Sequence, residues 1–147
     1  MSTRENLENA LKDAMRANDD LRKRTLRMAI AAIKFAQVEK GQPPDEAGVI
    51  AIVQKEIKSR QESIADAQKA NRPDLVEASQ AEIEVLKSFL PQPLTPEELD
   101  ALARAAIAEV GATGPREMGQ VMKLLTARLQ GRATGDQASQ AVRKLLQ

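Results

Sequence analysis

The sequence contains no cysteine, histidine, tryptophan or tyrosine. Without thiolate or imidazole ligands the usual zinc and iron–sulfur sites cannot form, and disulfides are excluded. A thiol nucleophile and an imidazole general base are excluded as well. Any chemistry would depend on carboxylates, Lys, Arg, Ser or Thr, which is a poor set for an enzyme of 147 residues. We therefore expect neither a metal nor another cofactor.

The chain also lacks a long apolar run. No stretch of about 18 apolar residues occurs, so the sequence predicts no membrane span and no membrane partner. The first residues, MSTRENLENALKD, are charged where a secretory signal would be apolar. We therefore expect a cytoplasmic protein.

Apolar residues recur at helical spacing along nearly the whole chain, and no segment alternates as a strand would. The predicted stripes of the first four helices are Leu7, Leu11, Ala14 and Met15; Leu26, Ile30 and Ile33; Val49, Val53, Ile57 and Ile64; and Leu75, Ile83, Leu86 and Leu90. The predicted stripes of the tail are Leu99, Leu102, Ala106, Ile107 and Val110; Met118, Val121, Met122, Leu125 and Leu129; and Ala138, Val142 and Leu145. The sequence predicts an all-α protein, with an N-terminal four-helix domain followed by a small three-helix C-terminal domain.

The segment LPQPLTPEEL at 90–99 marks the predicted boundary between the two domains. Its first prolines stop the fourth helix and stiffen an extended linker. Thr95 then opens a new helix with a predicted capping box, in which Thr95 accepts the backbone N–H of Glu98 and Glu98 reaches back to Thr95. We therefore expect domains at 1–92 and 95–147.

The net charge of +1 conceals an uneven pattern. Residues 1–40 carry 9 basic and 6 acidic groups, residues 41–111 carry 7 and 13, and residues 112–147 carry 6 and 2. Both ends are therefore positive and the middle is negative. Solvated helix faces would explain this pattern, and a basic surface for a polyanion is the alternative.

Six basic residues concentrate in the tail. They are Arg116, Lys123, Arg128, Arg132, Arg143 and Lys144. On a helical wheel Arg116 and Lys123 lie opposite the apolar stripe, Arg128 lies at its flank, and Arg132 follows in the turn GRATG. A helix beginning near Gly135 would present free N–H groups that favour an anion. Arg132, Lys123 and that helix start could together grip phosphates. The alternative is that Gly131 and Gly135 only punctuate helices.

Gly119 lies near the start of a predicted helix, where alanine would be the more stable residue by about 1 kcal/mol in an interior and by less in the first turn. We expect that the missing side chain lets a neighbouring helix pack closely. Approach of a ligand backbone is the alternative. Met118 and Met122, which flank the position, are expected in the core.

Three motifs follow one another along the chain: TLRMAIAAIK at 25–34, LPQPLTPEEL at 90–99 and MGQVMKLLTARLQGRATG at 118–135. In this order and over essentially its whole length, the sequence resembles the GatB/YqeY family, and in particular its stand-alone YqeY-like members. The resemblance implies that residues 95–147 are similar to the tail of the B subunit of the glutamine-dependent tRNA amidotransferase, a helical module that contacts tRNA. It also implies a carbon–nitrogen ligase activity with glutamine as amide donor.

The residues themselves offer little for amide transfer. Glutamine hydrolysis needs an activated nucleophile, usually Cys or a Ser activated by Lys, and no serine here lies in a glycine-rich elbow. Ser2 could become an N-terminal nucleophile if Met1 is removed, and its alternative role is a helix cap. The glycine-rich stretch at 111–119 lacks the Lys-Ser/Thr pair of an ATP-binding loop. The sequence therefore favours a non-catalytic chain, with an amidotransferase-related ligase as the alternative.

The favoured hypothesis is an accessory protein that binds tRNA or another structured RNA through the six tail cations. The two aromatic residues, Phe35 and Phe89, lie in apolar stretches, so base stacking is not expected and binding would use phosphates and shape. A protein-interaction scaffold is the other possibility, because Arg27 and Lys34 share one face of the second helix. That secondary basic face could pair with the chain's own acidic third and fourth helices, meet an acidic partner, or form a second RNA surface.

Overall fold

The computed structural model describes all 147 residues and contains seven α-helices, one short 3₁₀ turn and no strand, which confirms the all-α class. The helices are α1 (Thr3–Arg16), α2 (Asp20–Lys40), α3 (Glu46–Lys69), α4 (Pro73–Lys87), α5 (Pro96–Val110), α6 (Met118–Leu129) and α7 (Gly135–Leu146), with the 3₁₀ turn at Pro115–Glu117 before α6. No helix combines the length and the apolar character that a membrane span requires.

Several helices begin at side-chain caps of residue types that can be recognised in the sequence. Ser2, Asp19, Asp45 and Thr95 each accept a backbone N–H of the first turn that follows them. Thr95 accepts the N–H of Glu98 at 3.1 Å, as predicted. The predicted return bond is replaced, because the Glu98 carboxylate pairs with an arginine instead. The reciprocal capping box forms at the start of α7.

Contacts between Cα atoms divide the chain into two compact units, residues 1–90 and residues 91–147. The first unit contains α1 to α4, and the second contains α5 to α7. That each unit is an independently folding domain stays a prediction.

In the first unit α3 and α4 form the main helix pair, and α1 packs on α2. The largest fully buried side chains of its core are Leu7, Leu26, Ile33, Val53 and Leu86. Two predicted core residues are exposed instead, namely Met15 and Leu75. Met15 lies about 100° around α1 from the buried Ala14, and Leu75 lies in the first turn of α4. Both side chains are exposed because Met15 lies at the edge of its apolar stripe and Leu75 at the end of its own.

In the second unit α5, α6 and α7 each pack against the other two. Val121, Leu125 and Val142 are fully buried in their shared core. Met118 and Met122 are partly buried against this cluster, as predicted from their place in the stripe. Burial of these apolar faces decides which way the basic side chains of α6 and α7 point.

Candidate nucleic-acid interface

The outer face of α6 presents Lys123 to solvent. Because Val121 and Leu125 point into the core, the wheel places Lys123 on the opposite side of the helix, where it is exposed. No carboxylate of the chain pairs with its ammonium group. Arg116, in the 3₁₀ turn just before α6, is exposed and equally free of an acidic partner. These two predicted RNA-binding residues are available for an anion.

The outer face of α7 carries the next two cations. Ala138 and Val142 are buried, which turns Arg143 and Lys144 outward in the last turn of the helix. Arg143 donates from Nη2 to the Oγ of Ser139 at 3.5 Å, and neither cation meets a carboxylate. Their charge also lies where the helix dipole favours cations, so it is compatible with a stable helix end.

Arg128 is held within the chain, unlike these four residues. Its guanidinium forms a close hydrogen-bonded ion pair with Glu109 on α5. The hydrogen bond from Arg128 lowers the pKa of Glu109 below its ordinary value of 4.5, and it raises the pKa of Arg128. Both side chains are partly exposed, so solvent screens the attraction between them. A phosphate would have to displace Glu109 to reach Arg128.

Arg132 is held more firmly. Its Nε donates to the backbone oxygen of Gln92 at 2.9 Å, and its Nη2 lies 3.5 Å from the carboxylate of Glu98. The start of α7 is occupied too, because Thr134 and Gln137 exchange reciprocal backbone-to-side-chain bonds of 3.0 and 3.1 Å. Arg132 and the start of α7 thus have partners within the chain, and the phosphate grip that they were expected to form stays a prediction. Local capping chemistry and an acidic residue on α5 satisfy these groups first.

The basic turn GRATG consequently faces the chain's own segment before α5. Sequence reasoning missed this role of Arg132, although one signal for it exists. The PQP segment at 91–93 cannot continue a helix, so its backbone groups need partners elsewhere. A lone arginine in a turn is one of the donors that can supply them.

Gly119 lies on the exposed side of α6, and this corrects the expectation of close helix packing. A methyl group added at this position would meet nothing within 4 Å. No helix approaches the position, because the packing stripe of α6 lies on its other side, at Val121 and Leu125. Approach of a ligand backbone stays a prediction.

The secondary basic face lies in the first unit. Arg27 and Lys34 are exposed on α2, and neither pairs with a carboxylate. They were predicted, as one alternative, to pair with acidic residues of the third and fourth helices. Arg24 of α2 makes such a pair instead, and it lies 3.5 Å from Glu82 of α4. The face formed by Arg27 and Lys34 is thus open to solvent.

The residues considered for catalysis have structural partners. Ser2 accepts the N–H of Glu5 at 3.2 Å, so it acts as the cap of α1. Glu56 and Glu82 both form ion pairs with the guanidinium of Arg60. The His, Cys, Asp and Glu side chains form no group of three or more that could hold a metal ion.

Comparison with known proteins identifies the class. The family assignment rests on the sequence match. A family model described as Yqey-like protein matches residues 4–146. The chain therefore belongs to the YqeY-like family.

Several curated relatives that match the chain carry the name "Altered inheritance of mitochondria protein 41, mitochondrial". The one from Lachancea thermotolerans is 39% identical over 113 residues, which is 75% of this chain and 60% of the relative. The one from Pyrenophora tritici-repentis is 33% identical over 129 residues, 86% of this chain and 71% of the relative. The one from Vanderwaltozyma polyspora is 36% identical over 97 residues, 64% of this chain and 52% of the relative. The chain thus spans between about half and about 70% of the length of these relatives.

These names contradict the expectation of a cytoplasmic protein, because each relative is designated mitochondrial. A charged N-terminus excludes a secretory signal, but mitochondrial leaders are amphipathic and Arg-rich and need no apolar core. A charged N-terminus therefore does not distinguish a cytoplasmic from a mitochondrial protein.

Proposed function

We propose that the protein is a non-catalytic accessory protein that binds tRNA or another structured RNA through the second unit. One observation carries the proposal: four exposed cations of residues 112–147 meet no carboxylate in the folded chain. They are Arg116, Lys123, Arg143 and Lys144. The sequence resemblance of residues 95–147 to the tail of the amidotransferase B subunit supports RNA as the anion.

Phosphate contacts and shape would provide the binding energy. The second unit contains no aromatic residue, so it has no side chain on which a splayed base could stack. Lys and Arg that neutralise phosphates release condensed counterions, which gives an affinity that falls steeply with salt. Recognition of this kind favours a folded RNA, whose phosphates are held in a fixed pattern.

The two paired arginines contribute differently. Arg128 can reach a phosphate once Glu109 is displaced, because solvent screens an exposed ion pair and makes it easy to break. Arg132 also holds the backbone of Gln92, so its release would loosen the segment before α5. The four free cations therefore form the primary contact set, and Arg128 a secondary one.

A matched pair of triple variants tests the proposal. One variant carries Lys123→Gln, Arg143→Gln and Lys144→Gln. The control carries Lys12→Gln, Lys69→Gln and Lys87→Gln, three exposed lysines of the first unit, and has the same net charge. Binding of unmodified tRNA is measured by electrophoretic mobility shift at several salt concentrations.

We expect the tail variant to bind at least about tenfold more weakly than the control. We also expect the slope of log affinity against log salt to fall by about 0.7–0.9 for each phosphate contact removed. Equal binding by the two variants would show that the tail is not the interface. Release of ammonia from glutamine by the purified chain would contradict the non-catalytic half of the proposal.

A further inference from the structure

Helix α2 carries two apolar stripes, and the protein covers only one of them. Leu26, Ala29, Ile30 and Ile33 are buried in the core of the first unit. The second stripe consists of Met28, Ala31, Phe35 and Val38, all on the solvent side. Phe35 is 64% exposed, Val38 is 80% exposed and Met28 is 51% exposed. Single exposed apolar residues are ordinary, but an aligned row of them marks an interaction site.

The exposed stripe has the spacing of a helix-packing seam. Its residues are separated by three, four and three positions, which is the 3.5-residue repeat of a coiled coil. Met28 and Phe35 then occupy a positions, and Ala31 and Val38 occupy d positions. From Met28 to Val38 the seam runs about 15 Å along the axis, since each residue rises 1.5 Å. The small Ala31 leaves a hole between the two larger side chains, into which a partner's side chain can insert.

The seam is bordered by positive charge. Arg27 and Lys34 each precede an a-position residue, so both occupy g positions, and both are exposed without a carboxylate partner. No Asp or Glu occurs from Leu21 to Val38, and the first acidic residue after the seam is Glu39, in an e position. An antiparallel second copy docking by this face would bring Arg27 and Lys34 toward the same cations of the first copy, and a parallel one could pair only Lys34 with Glu39, so self-pairing leaves Arg27 without an acidic partner. Charge complementarity therefore favours an acidic occupant.

The seam is also preformed. The covered stripe of α2 anchors the helix to the core, so binding requires no folding of this element. The Sδ of Met28 lies 3.6 Å from Nη2 of the buried Arg60 on α3, and this contact fixes the side chain at the N-terminal end of the seam. Phe35 is then the central large side chain, with most of its ring area still available for burial.

We infer that the exposed seam of α2 binds an amphipathic helix of a partner protein, whose apolar stripe is flanked by Glu or Asp. Phe35, Met28 and Val38 supply the apolar contact. Arg27 and Lys34 pair with the acidic flank, which selects the partner and its orientation. The seam belongs to the first unit, so this inference stands or falls independently of RNA binding by the tail.

A synthetic peptide serves as the probe. It contains about three heptads with Leu at a and d and Glu at e and g, so its own charges keep it from self-pairing at neutral pH. A matched peptide carries Lys at every e and g position. Each is labelled with fluorescein and titrated with the full-length chain while fluorescence anisotropy is recorded. We expect the acidic peptide to bind with a dissociation constant of about 10–100 μM, and the basic peptide to bind at least about tenfold more weakly.

Two variants locate the binding to the seam. Phe35→Ala removes the central apolar contact, and the double variant Arg27→Glu and Lys34→Glu reverses the border. Each should weaken binding of the acidic peptide by about tenfold or more, and the double variant should strengthen binding of the basic peptide. The controls are Leu75→Ala, an exposed apolar residue of α4, and the charge-matched pair Lys12→Glu and Lys69→Glu. Because all these side chains are exposed, circular dichroism should show unchanged helix content.

Three results would overturn the inference. The first is equal affinity for the two peptides, or equal affinity of Phe35→Ala and Leu75→Ala for the acidic one. The second is a dimer in sedimentation velocity that Phe35→Ala converts to a monomer, which would make a second copy the occupant. The third is single-stranded oligouridine that binds in a Phe35-dependent manner and displaces the peptide, which would make the seam a base-stacking surface.

Discussion

Arg132 is tied to Gln92 and its neighbours across forty positions of sequence. The side-chain Nε donates to the Gln92 oxygen at 2.9 Å, while the backbone oxygen of Arg132 accepts the N–H of Leu94 at 2.8 Å. The extended segment before α5 is thereby fastened to the turn between α6 and α7. A residue that looks like a phosphate ligand in the sequence is thus part of the scaffold of the second unit.

This relationship predicts that Arg132→Ala destabilises the protein. The change leaves the Gln92 oxygen without its donor and removes the pairing with Glu98, so we expect a loss of about 1–2 kcal/mol in the free energy of unfolding. Urea denaturation followed by circular dichroism measures it. Arg143→Ala, at an exposed position without a carboxylate partner, should change stability by no more than about 0.5 kcal/mol. Equal effects of the two variants would show that the Arg132 contacts contribute nothing.

The same contacts predict where the second domain begins. A fragment of residues 91–147 keeps both bonds to Arg132 and the packing of Leu94 on the core. A fragment of residues 95–147 loses them. We expect the longer fragment to unfold cooperatively on heating and the shorter one to have a lower Tm. Absence of any cooperative transition in the longer fragment would refute an independent C-terminal domain.

Gly119→Ala is expected to stabilise the protein. The position has open space around it and does not need a left-handed backbone, so alanine should gain a few tenths of a kcal/mol, up to about 1. Gly111→Ala is the contrasting variant, because Gly111 ends α5 with φ +74° and alanine there should destabilise by about 1 kcal/mol. Chemical denaturation measures whether the free energy of unfolding rises in Gly119→Ala and falls in Gly111→Ala. A destabilised Gly119→Ala would mean that the glycine has a packing role after all.

Arg60 and Glu82 form a partly desolvated pair inside the first unit. Arg60 is 6% exposed, and its Nε lies 3.8 Å from the Glu82 carboxylate. Glu82→Ala leaves that buried charge with only Glu56 nearby, so we expect a loss of about 1–3 kcal/mol in unfolding free energy.

Adding Arg60→Met should recover much of this loss, because the uncompensated charge is removed. Glu84→Ala, an exposed change on the same helix, is the control. Additive losses in the double variant would exclude a coupling between Arg60 and Glu82.

The Glu109–Arg128 pair predicts a small acid dependence of stability. The hydrogen bond from Arg128 lowers the pKa of Glu109 in the folded state. The pair therefore stabilises the fold above the ordinary pKa of 4.5, and this contribution is lost as the pH falls through the lower folded value. Between about pH 5 and pH 3 the Tm of Glu109→Gln should fall less than that of the parent chain. Glu97→Gln, at an exposed position without an arginine partner, should follow the parent, and an identical response of both variants would contradict the prediction.

The helices themselves were largely predictable. Caps such as Ser2 and Asp19 and the stop at Gly41 act on the backbone beside them, so their meaning is local and readable from neighbouring residues. The apolar period also gave most of the core, and it failed at Met15 and Leu75, where a stripe reaches its edge or its end. The proposed interface was less predictable. The wheel found the outward direction of Lys123, but it could not tell that Arg128 would be paired with an acidic residue of another helix.

By itself the sequence determined the helical class, the places where helices start and stop, and the family to which the chain belongs. Only the tertiary structure decided which charges are free. It pairs Arg128 and Arg132 with acidic residues of α5, buries the Arg60 side chain within the first unit and leaves Phe35 exposed to solvent. The physical reason is that capping and helical periodicity act within a few residues, whereas burial and ion pairing depend on which distant residue the fold places alongside.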